Sequence, residues 1–145
     1  MQMQTYLEPT QESGRAFFMR GITGRVVMLN LLRFREVADY TATPAIAPKQ
    51  PISGEAAYKL YMSHTMPFLE NSGGKLLFYG LGGQFLIGPG SEQWDAAMLV
   101  EQSSPAAFIA FASNPEYLAG IGHRTAALED SRLLPLEEVD WKGQA

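Results

Sequence analysis

Apolar residues follow two rhythms along this chain, and their order predicts the fold. The run "RVVMLNLLRF" (25–34) is apolar almost without interruption, as in a strand covered on both faces. "EAAYKLYMSHTM" (55–66) repeats apolar residues at helical spacing behind Ser53, a good N-cap. Pro67 then removes a backbone donor and is expected to kink or restart that helix, which ends near "NSGG". "KLLFYGLGGQFLIG" (75–88) reads as a strand with a weak centre, bulged or bent at Gly82-Gly83. "PGSEQ" turns the chain into "WDAAMLVEQ" (94–102), a third strand. Ser104-Pro105 and Asn114-Pro115 each set a cap before a proline, so two short helices or one broken helix follow. "SRLLPLEEV" (131–139) is the last strand, and its Pro135 predicts an edge position or a bulge.

The order β-α-β-β-α-β predicts an α+β, ferredoxin-like domain over 25–141: a four-stranded antiparallel sheet with both helices on one face. The other face of such a sheet normally meets water, yet "VVMLNLLRF" and "AAMLV" are apolar on both sides. Soluble monomers rarely expose that much apolar surface. The expected remedy is a homodimer that packs two sheets face to face into a barrel. Residues 1–24 form an extension with a short helix through "GRAFFMRG", capped by Thr10 or Ser13 and ended by Gly21 and Gly24. Residues 36–53 form a long loop rich in proline. Loops of this length often cover something, so it is expected at a pocket rim or a dimer contact.

Composition narrows the function classes. A chain of 145 residues suits one domain. The net charge is -4 with no run of Lys or Arg, so no nucleic acid partner is expected. The absence of cysteine excludes disulfides, thiolate zinc sites and cysteine nucleophiles, and fits a reducing, cytoplasmic location. The first residues lack the basic start and apolar core of a signal peptide. No apolar run approaches the ~20 residues of a membrane span, so no membrane partner is expected.

Four phrases carry a family resemblance: "NLLRF" on the first strand, "Y..Y..H..P.L...GG" on the first helix, "G......GPG...WD...LV" across the hairpin, and the closing "PEYLAGIGHRTAALEDSRLLP". Over about residues 25–139 the chain resembles the domain of unknown function 1330 family, in the dimeric α+β barrel superfamily. The resemblance implies a homodimer of ferredoxin-like protomers. It implies no established reaction and no catalytic residues to carry over. Families related by fold include cofactor-independent monooxygenases, muconolactone isomerases, and haem-using chlorite dismutases and dye peroxidases, and fold alone does not choose among them. The expected function is a cofactor-independent enzyme, oxygenase- or isomerase-like, on a small oxygenated metabolite. The alternative is a non-catalytic small-molecule-binding or stress-associated dimeric module.

Several residues invite chemistry, each beside a plainer role. His123 and His64 are candidate general bases, because imidazole titrates near neutral pH. His64 shares a helix face with Leu60, Tyr61 and Phe68 that is expected to pack on the sheet. The Ala and Gly residues around His123 permit close approach by another element or leave space for a ligand. Arg124 would hold a carboxylate or enolate, or else pair with Glu116 or Asp130; Arg132 has the same two roles. Asn30, alone among apolar neighbours, either bonds within the fold or points a donor at a ligand. Tyr61, Tyr79 and Trp94 offer pocket walls or core packing. Asp95 suits a turn or cap acceptor, and Ser131 beside Asp130 suits loop capping. The two histidines lack metal-ligand spacing, so neither metal nor cofactor is expected, and nothing marks either as an axial haem ligand.

Overall fold

A computed structural model describes residues 4–143; the first three residues of the expected N-terminal extension lie outside them. Helix α1 (Gln11–Met19) opens on a capping box in which Thr10 and Ser13 bond each other's backbone N–H groups, so Thr10 is the cap. Then follow β1 (Val26–Phe34), α2 (Gly54–Asn71), β2 (Lys75–Gln84), β3 (Gln93–Gln102), three short helices α3 (Pro105–Ala112), α4 (Pro115–Leu118) and α5 (Ile121–Ala127), and β4 (Leu128–Leu136). The strands form one sheet in the order β2-β3-β1-β4 with every pairing antiparallel, which is the ferredoxin-like arrangement. β4 is an edge strand and tolerates Pro135, as expected. Among the described residues no helix is long and apolar enough to cross a membrane.

Four local expectations need correction. α2 runs unbroken through Pro67, because Pro67 and Ser63, the carbonyl it leaves unbonded, both face water. The bulge in β2 falls at Leu77, where the register with β3 shifts between Leu76 and Phe78, and not at Gly82-Gly83. Gly82 instead lets β3 come close, since a Cβ there would meet the Trp94 carbonyl oxygen at 2.5 Å. β4 starts at Leu128, three residues early: "ALED" has helical composition, but Leu128 pairs with Phe34 of β1 and its side chain is fully buried. Leu60 is exposed; the buried face of α2 is Ala57, Tyr58, Tyr61, Thr65 and Leu69.

The core lies between that face, Phe111, Tyr117 and Ala127 from the later helices, and Leu32, Ala96 and Met98 from the sheet. Among the described residues no helix covers the opposite face of the sheet. By register it presents Val27, Leu29 and Leu31 of β1, Ala97 and Leu99 of β3, Phe78 of β2, and Leu134 and Leu136 of β4. Leu134 and Phe78 are more than half exposed.

Candidate functional site

The stretch around α4 and α5 holds the residues with most chemistry. Its glycines serve close packing. A Cβ at Gly120 would collide with the His64 ring, and one at Gly122 would meet Thr43 and Ile46 of the long loop at 2.7–2.8 Å. So α2 presses on one side of α5 and the loop on another. A 3-10 turn at Pro44–Ile46 and the bond from Asp39 N–H to Ala126 O (2.9 Å) hold the loop there.

Under this loop His123 meets Tyr40, with Nδ1 2.7 Å from the phenol oxygen and the rings edge to face at 5.5 Å. Burial and then the nearby charge of His64 lower the His123 pKa, while burial raises that of Tyr40. At neutral pH both are uncharged, and the direction of the bond follows the imidazole tautomer: with the proton on Nε2, the phenol donates to Nδ1. Tyr40 also lines a shallow cleft of about 310 Å³, with Val37, Pro48, Pro51 and Ile52 as apolar walls and Lys49 as its charge. All of its lining residues belong to the loop itself, so this cleft is not a cavity between sheet and helices that the loop would rim. A second cleft of about 410 Å³ lies between Arg35, Glu36, Ser53, Glu55, Leu81 and Asp95.

Arg124, beside His123 in sequence, points elsewhere. Its Nη1 donates to the Leu7 carbonyl (2.5 Å) and its Nη2 to Ser131 Oγ (3.3 Å), so it pairs with neither Glu116 nor Asp130. Ser131 caps no loop; within β4 its hydroxyl donates to the Tyr6 carbonyl at 2.6 Å. The guanidinium of Arg124 also sits beside the phenols of Tyr58 and Tyr117. Burial holds both phenols well above their ordinary pKa, against the pull of that charge, so they stay protonated. Tyr61 and Tyr117 share a hydroxyl bond of 2.8 Å, and Tyr79 lies nearby. This group is a bonded core network that lines neither of the two clefts.

The remaining candidates are scattered. The His64 Nε2–H donates to the Glu116 carbonyl (2.8 Å), tying α2 to α4. Asn30 is buried and donates to Met28 O two residues back at 3.2 Å, a bond within its own strand. Asp95 accepts from the Phe34 N–H of the neighbouring strand at 2.8 Å, and not at the turn or cap expected. Trp94 and Arg132 do come together: the Arg132 guanidinium lies 5.0 Å from the Trp94 ring and 4.9 Å from Tyr6, and Arg33 lies 4.8 Å from Trp94. Fully buried Asp130 anchors this stack, taking Arg132 Nη1 and the Tyr6 N–H. His123 Nδ1 and His64 Nε2 each have a partner, and neither ring lines either of the two clefts. Among the described residues no three His, Asp or Glu side chains gather as a metal site.

Tyr40, Tyr6 and Glu92 carry contacts that sequence reasoning missed. Tyr40 was legible only as an aromatic in a proline-rich loop, and Glu92, which accepts the Trp94 indole N–H at 2.9 Å, only as part of a turn.

Comparison with known proteins fixes the family. No family model matches the chain, and no curated protein does. Among solved structures, the methylated RPA0582 protein is 35% identical, with a TM-score of 0.83 over 95% of this chain and 98% of that one. The RPA0582 protein of unknown function from Rhodopseudomonas palustris is 34% identical, with a TM-score of 0.81 over 94% and 99%. The chain belongs to the RPA0582 family. The match spans nearly the whole of both chains, so the fold and its N-terminal extension are common to this family. A dimeric ferredoxin-fold protein of unknown function from Bacteroides fragilis is also similar, at 15% identity and a TM-score of 0.49 over 79% of this chain and 96% of that one.

Proposed function

We propose that the chain works as a homodimer that binds a small, partly apolar molecule bearing a carbonyl or hydroxyl group in the loop cleft, and that Tyr40 and His123 pass a proton to or from it. The reading takes the chain as a member of the domain of unknown function 1330 family, on the four phrases quoted above. One observation carries it: the 2.7 Å bond from a cleft-lining phenol to a neutral imidazole. A ligand hydroxyl that donates to the Tyr40 oxygen pushes the phenol proton towards Nδ1, so the couple acts as a base without either group starting charged. Burial keeps the imidazole unprotonated and available for that step. The apolar walls select a ligand with little charge, and Lys49 at the cleft favours an oxygen of negative character. The homodimer rests on the helix-free sheet face, which leaves Phe78, Leu134 and Leu136 open to water.

The test is a screen of small ketones, enols and hydroxy-aromatics by ligand-observed NMR in deuterated buffer. Binding by the wild type, with loss on Tyr40→Phe or His123→Ala, supports the site. Deuterium exchange next to the ligand's carbonyl that only the wild type catalyses makes it a proton-transfer enzyme, and binding without exchange makes it a carrier. Equal binding by all three proteins sinks the reading.

A further inference from the structure

Two half-buried side chains of opposite charge, Arg35 and Glu55, line the second cleft. Backbone bonds put them there. The Arg35 N–H donates to the Ala127 carbonyl (2.8 Å), and the Arg35 carbonyl takes the Gly54 N–H (3.0 Å), which fastens the start of the loop to the first turn of α2. Yet no ion pair joins the two side chains, and among the described residues neither finds another counter-charge. Arg35 Nε is shut off from water with no hydrogen-bond partner. A half-buried charge has lost part of its hydration, and only a partner restores that loss. Opposite charges that line one cleft without touching leave room for a molecule that carries both.

The other walls decide which molecule. Glu36 and Asp95 also line the cleft, and Asp95 has one oxygen on the Phe34 N–H. Three carboxylates against one guanidinium repel a simple anion. A simple amine satisfies Glu55 and leaves Arg35 unpaired. A metal ion finds no group of three ligands among the described residues and meets the Arg35 charge. A molecule with both a carboxylate and an ammonium group answers both sides at once. Ser53 Oγ accepts the Ala56 N–H at 3.0 Å, so its own hydrogen remains for a carboxylate oxygen. Leu81, at the root of the β2–β3 hairpin, is 76% exposed, and an aliphatic group laid on it leaves water. At about 410 Å³ the cleft is small for a ligand site, which suits a single amino acid better than a peptide.

We propose that this cleft binds a free amino acid with an aliphatic side chain: its carboxylate on Arg35 and Ser53, its ammonium on Glu55, its side chain on Leu81. The two clefts share no lining residue, so this site stands apart from the Tyr40–His123 couple.

Titration of the isotope-labelled full chain with leucine, followed through backbone amide shifts, tests it. Binding is expected, with the shifts centred on Glu36, Glu55, Leu81 and Gly82. N-acetyl-leucine lacks the ammonium and isopentylamine lacks the carboxylate, so each is expected to bind about 10-fold more weakly or worse. Arg35→Gln and Glu55→Gln should each weaken leucine by a similar factor, with thermal melting as the control for folding. Tyr40→Phe should leave leucine binding unchanged, whatever it does to ligands of the loop cleft. The analogue series on the wild type decides the matter even where a variant fails to fold. No shift with leucine, valine or alanine up to ~50 mM overturns the proposal. So does N-acetyl-leucine or isopentylamine binding as well as leucine, which would leave a site for one charge only. Leucine affinity unmoved in both folded variants, or shifts centred away from this cleft, overturns it too.

Discussion

The sheet has two edges, and the chain treats them in opposite ways. The β4 edge is covered by the N-terminal segment: the Tyr6 N–H reaches the Asp130 carboxylate at 2.8 Å, and the Tyr6 carbonyl takes the Ser131 N–H at 3.0 Å. Arg124 holds the next carbonyl, at Leu7, and Arg20 holds the Pro135 carbonyl at 2.6 Å. Among the described residues nothing covers the β2 edge, which leads into an apolar arm. An uncovered edge is a template for pairing or docking unless something blocks it. The glycines at 80, 82 and 83 and the bulge at Leu77 make β2 a poor template for another strand. Buried polar bonds are therefore concentrated at the β4 edge, and exposed apolar side chains at the β2 edge.

Breaking the covered edge gives the largest effect. Asp130→Ala removes the carboxylate partner of Arg132 and Arg33 and frees the Tyr6 N–H, and should cost about 3 kcal/mol in urea unfolding. Burial by itself would raise the Asp130 pKa, but bonds from the Tyr6 N–H, Arg132 and the Ser131 N–H outweigh it and hold the value below normal. The contribution is thus complete above the ordinary carboxylate pKa of about 3.9 and is lost as pH falls through the depressed value. Acid titration of wild-type stability should show that loss, and Asp130→Ala should lack it.

Next comes Arg124→Met, which removes the tie to Leu7 and Ser131. It should cost about 1.5–3 kcal/mol, with faster amide exchange around Tyr6 and Leu7. Unchanged exchange there would mean that the segment does not depend on Arg124.

Tyr40→Phe deletes one hydrogen bond and should cost about 1 kcal/mol. His123 has a lowered pKa in the fold, so its stability contribution is complete above about pH 6.5 and falls as pH drops towards the folded value. His123→Gln should flatten thermal stability against pH in that window.

The smallest effect belongs to the open edge. Leu81→Ser should change monomer stability by less than about 0.5 kcal/mol, because the side chain is 76% exposed. A loss of several kcal/mol would show that the arm packs within its own chain and would undo the contrast between the edges.

Sequence by itself determined the order of the four strands, the caps at Ser53 and Ser104, and the two apolar faces of β1 and β3, and it narrowed the first cap to Thr10 or Ser13 and Pro135 to an edge or a bulge. These follow from period, turn chemistry and proline's missing donor, which act within a few residues of the chain. Tertiary structure alone decided where β4 begins, because pairing with Phe34 overrode a helical composition. It also separated two neighbours in the sequence, sending His123 to Tyr40 and Arg124 to Leu7. The partners of Asp130 include Tyr6, 124 positions away. Contacts across such separations depend on where the sheet places each backbone, and no local pattern in the chain encodes them.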